Sequence, residues 1–204
     1  MLLEACVETL EQALLAQQNS AHRIELCERL EVGGLTPSLE LLHACTASLQ
    51  IPIMVMIRPR AGNFQISDDE LEQMKTAIRV CQAASVAGVV FGILTPQNEV
   101  DLEKTAELAA FAQPLQVTFH KAIDETPDPV EAAEKLSQVP GIQRILTSGG
   151  AATALEGKEV LKKMMERVGE RLTILVAGKV TAENLAEVHR EIGAKEYHGR
   201  RIVF

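Results

Sequence analysis

The sequence predicts one α/β domain over residues 1–204, folded as a (β/α)8 TIM-type barrel with a missing or very short eighth helix. Three observations predict it. Eight short apolar runs recur along the chain, separated by segments of helical period and length. Polar residues gather after almost every run, as they do where the strand ends form the active face of such a barrel. No G-x-G-x-x-G follows the first run, so the fingerprint of an open dinucleotide-binding sheet is missing.

The runs are LLEACV from Leu2, RIELC from Arg23, IMVMI from Ile53, GVVFGIL from Gly88, LQVTF from Leu115, IQRILT from Ile142, LTILVAG from Leu172 and the more polar KEYHG from Lys195. After the second run Leu39, Leu42 and Leu49 share a helical face, and after the third Leu71, Met74, Ile78 and Cys81 do so. Helix starts are marked by Thr36-Pro37, Ser67-Asp68-Asp69, Asp128-Pro129 and Thr181 with Asn184. Strands alternating with helices imply parallel pairing, with the helices outside. Arg200 to Phe204 are too few for an ordinary closing helix. Parallel strands are apolar on both faces and need cover. The seam between strands eight and one is therefore expected to be shielded in a two-fold homodimer, with Ile202, Val203 and Phe204 near the interface. The alternative is a monomer whose short tail folds back over the gap.

A formal net charge of −8 disfavours nucleic acid and anionic membrane as partners. No segment approaches the ~20 apolar residues of a membrane span. The start, MLLEACVETL, lacks the basic residues and long apolar core of a signal peptide, so a cytoplasmic location is expected. Cys6, Cys27, Cys45 and Cys81 form no C-x-x-C pair and are expected to be reduced. Trp is absent and there is one Tyr, so no aromatic platform for bases or sugars is present.

In such a barrel the chemistry sits at the C-terminal ends of the strands. Glu4-x-Cys6, Glu25-x-Cys27 and Glu196-x-His198 fall on strands one, two and eight, which neighbour one another in a closed barrel. Residues two apart on a strand point the same way, and adjacent strands lie ~4.8 Å apart. Three carboxylates are thus expected beneath two thiols and an imidazole on one wall. A structural ion-pair network with Arg23, Arg58 and Arg60 competes with a functional role for Glu4 and Glu25, and simple packing competes for the cysteines. Cys45 and Cys81, within helices, are assigned to packing, and His22, His43 and His189 to the surface. On the other strands, His120, Lys121 and Asp124 end the fifth run, and Arg58 and Arg60 flank a proline after the third. The turn Ser148-Gly149-Gly150 and Gly178 with Lys179 are candidates for holding an anion on backbone N–H groups.

Taken together these residues resemble the CutC copper-homeostasis family. The resemblance rests on E-A-C-V at Glu4 to Val7, R-I-E-L-C at Arg23 to Cys27, G-G-L-T-P-S at Gly33 to Ser38 and M-I-R-P-R-A-G-N-F at Met56 to Phe64. It continues through V-F-G-I-L-T at Val90 to Thr95, T-F-H-K-A-I-D at Thr118 to Asp124, L-T-S-G-G at Leu146 to Gly150 and G-A-K-E-Y-H at Gly193 to His198. It implies a barrel, a cytosolic location and a role in copper handling, with Cu(I) on Cys6 and Cys27. Two departures stand out. Lys179 replaces the third glycine of the family's A-G-G-G-V segment, and less chain follows the E-x-H strand than is usual.

Two functions follow as expectations. One is a Cu(I)-binding protein with Cys6, Cys27 and His198 as metal ligands. The other is an enzyme acting on a small anionic or phosphorylated metabolite. There Arg58, Arg60, Ser148, Gly149, Gly150 and Gly178 would bind the substrate. His120 would be the acid–base group with Asp124 or a Glu its orienter, and Glu4 and Glu25, crowded by like charge, would have raised pKa values and serve as a base. A binding protein without chemistry differs from the enzyme only in turnover.

Overall fold

Each apolar run becomes a strand. The strands are β1 (Leu2–Val7), β2 (Arg23–Leu26), β3 (Ile53–Met56), β4 (Gly88–Phe91), β5 (Gln116–Phe119), β6 (Ile142–Thr147), β7 (Thr173–Val176) and β8 (Glu196–Gly199). In the computed structural model, which describes residues 1–204, they pair in parallel, in chain order, and close into a barrel. Between them run α1 (Leu10–Gln18), α2 (Leu39–Ser48), α3 (Asp68–Ala83), α4 (Leu102–Phe111), α5 (Pro129–Leu136), α6 (Lys158–Val168) and α7 (Leu185–Ile192). No helix is long and apolar enough to cross a membrane.

The helix starts follow local chemistry. Ser67 and Glu70 close a capping box on α3, and Asp128 accepts from the N–H groups of Val130 and Glu131 ahead of α5. Two signals differ from expectation. α2 is capped by Ser38, because the Thr36 hydroxyl instead accepts from Arg58 N at 2.8 Å. Asn184 does not cap α7 with its side chain, which accepts from Thr181 N at 2.9 Å. Leu71, Met74, Ile78 and Cys81 bury the inner face of α3 as their spacing predicts, whereas Leu39 at the start of α2 is 53% exposed.

Alternation along the strands sorts the side chains. Ala5, Val7, Ile24, Leu26, Val89 and Phe91 join the large core between sheet and helices. Cys6, Cys27, Met54, Met56 and Val90 form a separate cluster within the barrel. Beneath it lie charges. Arg23 pairs with Glu4 and, at 2.8 Å, with Glu196. Arg144 reaches Glu196 at 3.0 Å and Gln116 at 2.7 Å. Buried ions require this kind of mutual satisfaction.

There is no helix after β8. The tail folds back: Arg201 bridges Thr181, Ala182 N donates to Arg201 O at 2.9 Å, and Asn19 Nδ2 donates to Val203 O at 2.8 Å. Ile202 is 1% exposed. The seam expected to be bare is covered by the chain itself.

Candidate functional site

Register explains the first wall of the site. Glu4 on β1 lies opposite both Arg23 of β2 and His198 of β8, and Cys6 lies opposite Glu25. Strands eight, one and two therefore converge as expected, but stagger changes the layers: Glu4 is level with His198 and Glu25 with Cys6, so these two carboxylates do not lie beneath the imidazole and thiols. Glu4 Oε1 is 2.8 Å from His198 Nδ1, while Glu25 Oε2 is 3.7 Å from His198 Nε2, 3.2 Å from Cys6 Sγ and 3.5 Å from Cys27 Sγ. One donor atom from each of Cys6, Glu25 and Cys27 falls within a mutual 4.8 Å, and the same is true of Glu4, Glu25 and His198. Glu25 belongs to both groups. Its Oε1 is buried without a partner.

The two carboxylates were expected to behave alike, and they do not. Burial alone would raise Glu4, but the hydrogen bond with His198 and the Arg23 charge outweigh it and hold the carboxyl at about 2. Glu4 is thus an ionised anchor and not a base. Glu25 has no arginine and is pushed well above the usual carboxylate range by burial and by the Cys6 charge. Burial would lower His198, yet the Glu25 charge and hydrogen bonds with Cys6 and Glu4 raise it well above its ordinary value. The Cys6 thiol is the more acidic of its pair: the hydrogen bond with Cys27 lowers it and raises Cys27. Cys45 and Cys81 sit buried in α2 and α3, and burial pushes Cys81 up to about 12. They are packing residues, as expected.

A second part of the site is made by Arg58, Phe64 and His120. The Arg58 guanidinium lies 4.7 Å from the Phe64 ring centre, and the His120 ring meets Phe64 edge-on at 4.9 Å. His120 Nδ1 accepts from Ala122 N at 3.2 Å, which leaves the proton on Nε2. Burial and the Arg58 charge lower its pKa to about 3, so near neutral pH the ring is neutral and its Nε2–H is a hydrogen-bond donor. Gly92 on the neighbouring strand end makes the room: a Cβ there would lie 2.5 Å from His120 Nδ1.

Asp124 does not orient His120. The short 3-10 turn Lys121–Glu125 carries it under the β6 turn, where it accepts from Thr147 Oγ1 at 2.5 Å, Ser148 N at 3.0 Å and Gly150 N at 2.9 Å, and pairs with Lys121 at 2.7 Å. Burial would raise it, but the Lys121 charge and these bonds keep it low. Of the anion nest expected at Ser148, Gly149 and Gly150, this carboxylate takes the N–H groups of Ser148 and Gly150, while Gly149 N donates to Thr147 Oγ1 at 2.9 Å. The nest also lacks a helix dipole, because α6 begins only at Lys158. Arg60 turns away as well: it pairs with Glu70 at 2.5 Å and donates to the carbonyls of Asn63 and Gln65. Neither Arg58 nor Arg60 neutralises Glu4 or Glu25; Arg23 does that for Glu4.

Cys6, Glu25, Arg58, His120, Gly178 and His198 all line one cavity of about 200 Å³ at the barrel mouth. Gly178, at φ +102, permits the close approach of the β6 and β7 turns, since a Cβ would meet Ala154 N at 2.7 Å. Arg144, Met56, Phe64 and Arg200 escaped the sequence reading as site residues. Arg200 follows directly on the E-x-H strand and Phe64 closes M-I-R-P-R-A-G-N-F, so both were within reach of it.

A family model described as CutC family matches residues 1–203. A Homo sapiens protein described as a copper homeostasis protein cutC homolog is 43% identical over 197 residues, covering 97% of this chain and 72% of that protein. A CutC family protein of Photobacterium profundum is 40% identical over 196 residues, covering 96% and 80%. Among solved structures, a copper homeostasis protein CutC from Streptococcus agalactiae superposes with a TM-score of 0.93 at 35% identity and 99% coverage of both chains.

Proposed function

The chain belongs to the CutC family, and from that premise we propose that it is a cytosolic copper-homeostasis protein that binds Cu(I) at the barrel mouth through Cys6 and Cys27. The observation that carries this reading is the grouping of both thiols with Glu25 within 4.8 Å, with Cys6 lining the open cavity. Soft thiolates suit Cu(I). The lowered pKa of Cys6 favours the thiolate that a metal needs, and the unpartnered Oε1 of Glu25 leaves a lone pair free beside them. His198 joins as a ligand only by giving up the proton that its neighbours favour, so metal binding would release protons. All four cysteines are free, which suits the reducing cytosol this reading requires.

Anaerobic titration with Cu(I) against a competing chelator tests the reading. The double variant Cys6→Ser/Cys27→Ser should lose affinity by about 100-fold or more, near 2.7 kcal/mol, while Cys45→Ala and Cys81→Ala should not. Wild-type affinity in the double variant would refute it. The catalytic alternative is weakened by its own residues, because His120 is neutral, Glu4 is fixed in an ion pair and Asp124 fills a backbone nest.

A further inference from the structure

Arg58 and Arg200 both line the mouth cavity, and neither forms an ion pair, although Glu125 lies within electrostatic reach of Arg58 and Glu31 within reach of Arg200. Every hydrogen bond of the Arg58 guanidinium goes to a neutral carbonyl: Val32 at 3.1 Å and Gly34 at 3.3 Å from Nη1, and Gly62 at 2.8 Å from Nη2. A guanidinium carries five N–H donors, so Nε–H and one Nη2 hydrogen remain, and Nε is buried with no partner. The residue is only 7% exposed. A buried cation with no carboxylate in direct contact is costly and rare. Arg200 likewise donates to the carbonyl of Leu30 and forms no ion pair.

Other donors face the same space. His120 Nε2–H has no acceptor within the chain, and the Lys121 ammonium, held by Asp124, borders the cavity. Glu25 is the only carboxylate of the lining, in a chain whose formal net charge is −8. The cation excess is therefore local to the mouth. At about 200 Å³ the cavity is below the ~300–1,000 Å³ of sites for drug-sized ligands, which sets the scale of its occupant.

We propose that this side of the mouth binds a small organic anion, with a carboxylate or phosphate head between Arg58, Arg200 and His120 Nε2 and a short carbon body against Phe64 and Leu146. The site shares the cavity with Cys6 and His198 but uses different donors, which follow β3, β5 and β8, and its charge complement is an anion.

Calorimetric titration of the reduced, metal-free protein with malonate and with glycerol 3-phosphate, at constant ionic strength, tests the proposal. At least one should bind saturably, and the better of the two identifies the head group. Arg200→Gln should weaken binding about tenfold or more, near 1.4 kcal/mol. Arg201→Gln removes an equal charge from the exposed neighbour and should leave binding unchanged. Arg58→Lys, which keeps the charge but loses the planar fork, should weaken it further. If that variant melts early through loss of its loop carbonyls, Arg200→Gln and Lys121→Gln carry the decision. No saturable binding of either probe, or equal losses in Arg200→Gln and Arg201→Gln, overturns the proposal. Because copper is absent throughout, the result stands or falls apart from the Cu(I) titration.

Discussion

Two glutamates that look equivalent along the chain, each interrupting an apolar strand, end in opposite states. Arg23 precedes Glu25 by two residues, yet it neutralises Glu4, because parallel register places Arg23 opposite Glu4 and Cys6 opposite Glu25. The E-x-C and E-x-H repeats were legible from the residues, and so was their meeting on one wall. Which carboxylate would be the ionised one was not, since that depends on stagger between strands. Arg144 was hidden for the same reason: inside IQRILT it reads as an ordinary strand residue, and only closure of the barrel brings it to Glu196. His120 yields a pH prediction. Its ordinary value of 6.5 holds in the unfolded chain and falls to about 3 in the folded one, through burial and then the Arg58 charge. Between those values the unfolded state binds more protons, so stability is complete above pH 6.5 and drains as pH falls toward 3. The slope from this one group is at most ~1.4 kcal/mol per pH unit. Urea denaturation at stepped pH should show His120→Gln losing stability less steeply than wild type across that window. Parallel curves would show that His120 is not held neutral.

Strand starts were legible to within one residue, because an apolar run bounded by turn residues is a local signal. The connections after the strands were less so. L-T-S-G-G reads as a turn opening a helix, but a carboxylate from the preceding β5 loop takes the N–H groups of Ser148 and Gly150, and the helix starts later. No local pattern announces a contact between two loops. Gly92 carries the element-scale prediction. It directly follows β4 beside the His120 ring, with Ala122 Cβ only 3.1 Å from where its own Cβ would stand. The ring cannot yield freely, since Nδ1 is held by Ala122 N and one edge by Phe64. Gly92→Ala should therefore cost about 1–3 kcal/mol of overpacking strain and drive the imidazole outward. The measurement is an NMR titration of the His120 ring protons: its pKa should climb from about 3 toward 6.5 as burial is lost. A ring still neutral at pH 5 in a stable Gly92→Ala variant would place the constraint elsewhere.

At the scale of the whole molecule, an apolar seam without a closing helix led to the expectation of a homodimer, and the structure changes the reason for one. The tail closes the seam: Ile202 is buried and Val203 is tied to Asn19 at the end of α1. What stays exposed beside that closure is Leu15, at 45%, and Phe204, at 36%. Leu15 lies one helical turn before Asn19 and so on the same face, and Phe204 directly follows the carbonyl that Asn19 holds. Both are exposed apolar side chains near that hydrogen bond in the chain, and a two-fold axis could bury them. We therefore propose a dimer built on α1 and the tail, distinct from the mouth and from its ligands. Sedimentation velocity at micromolar concentration should give the dimer mass for the wild type. Leu15→Glu with Phe204→Glu should give the monomer mass, because like charges would then face each other across the axis. Neither residue is buried in the fold, so the variant should keep its melting temperature in the monomeric state. A wild type that sediments as a monomer removes the proposal, and a dimer untouched by both charges moves the interface to another face of the barrel.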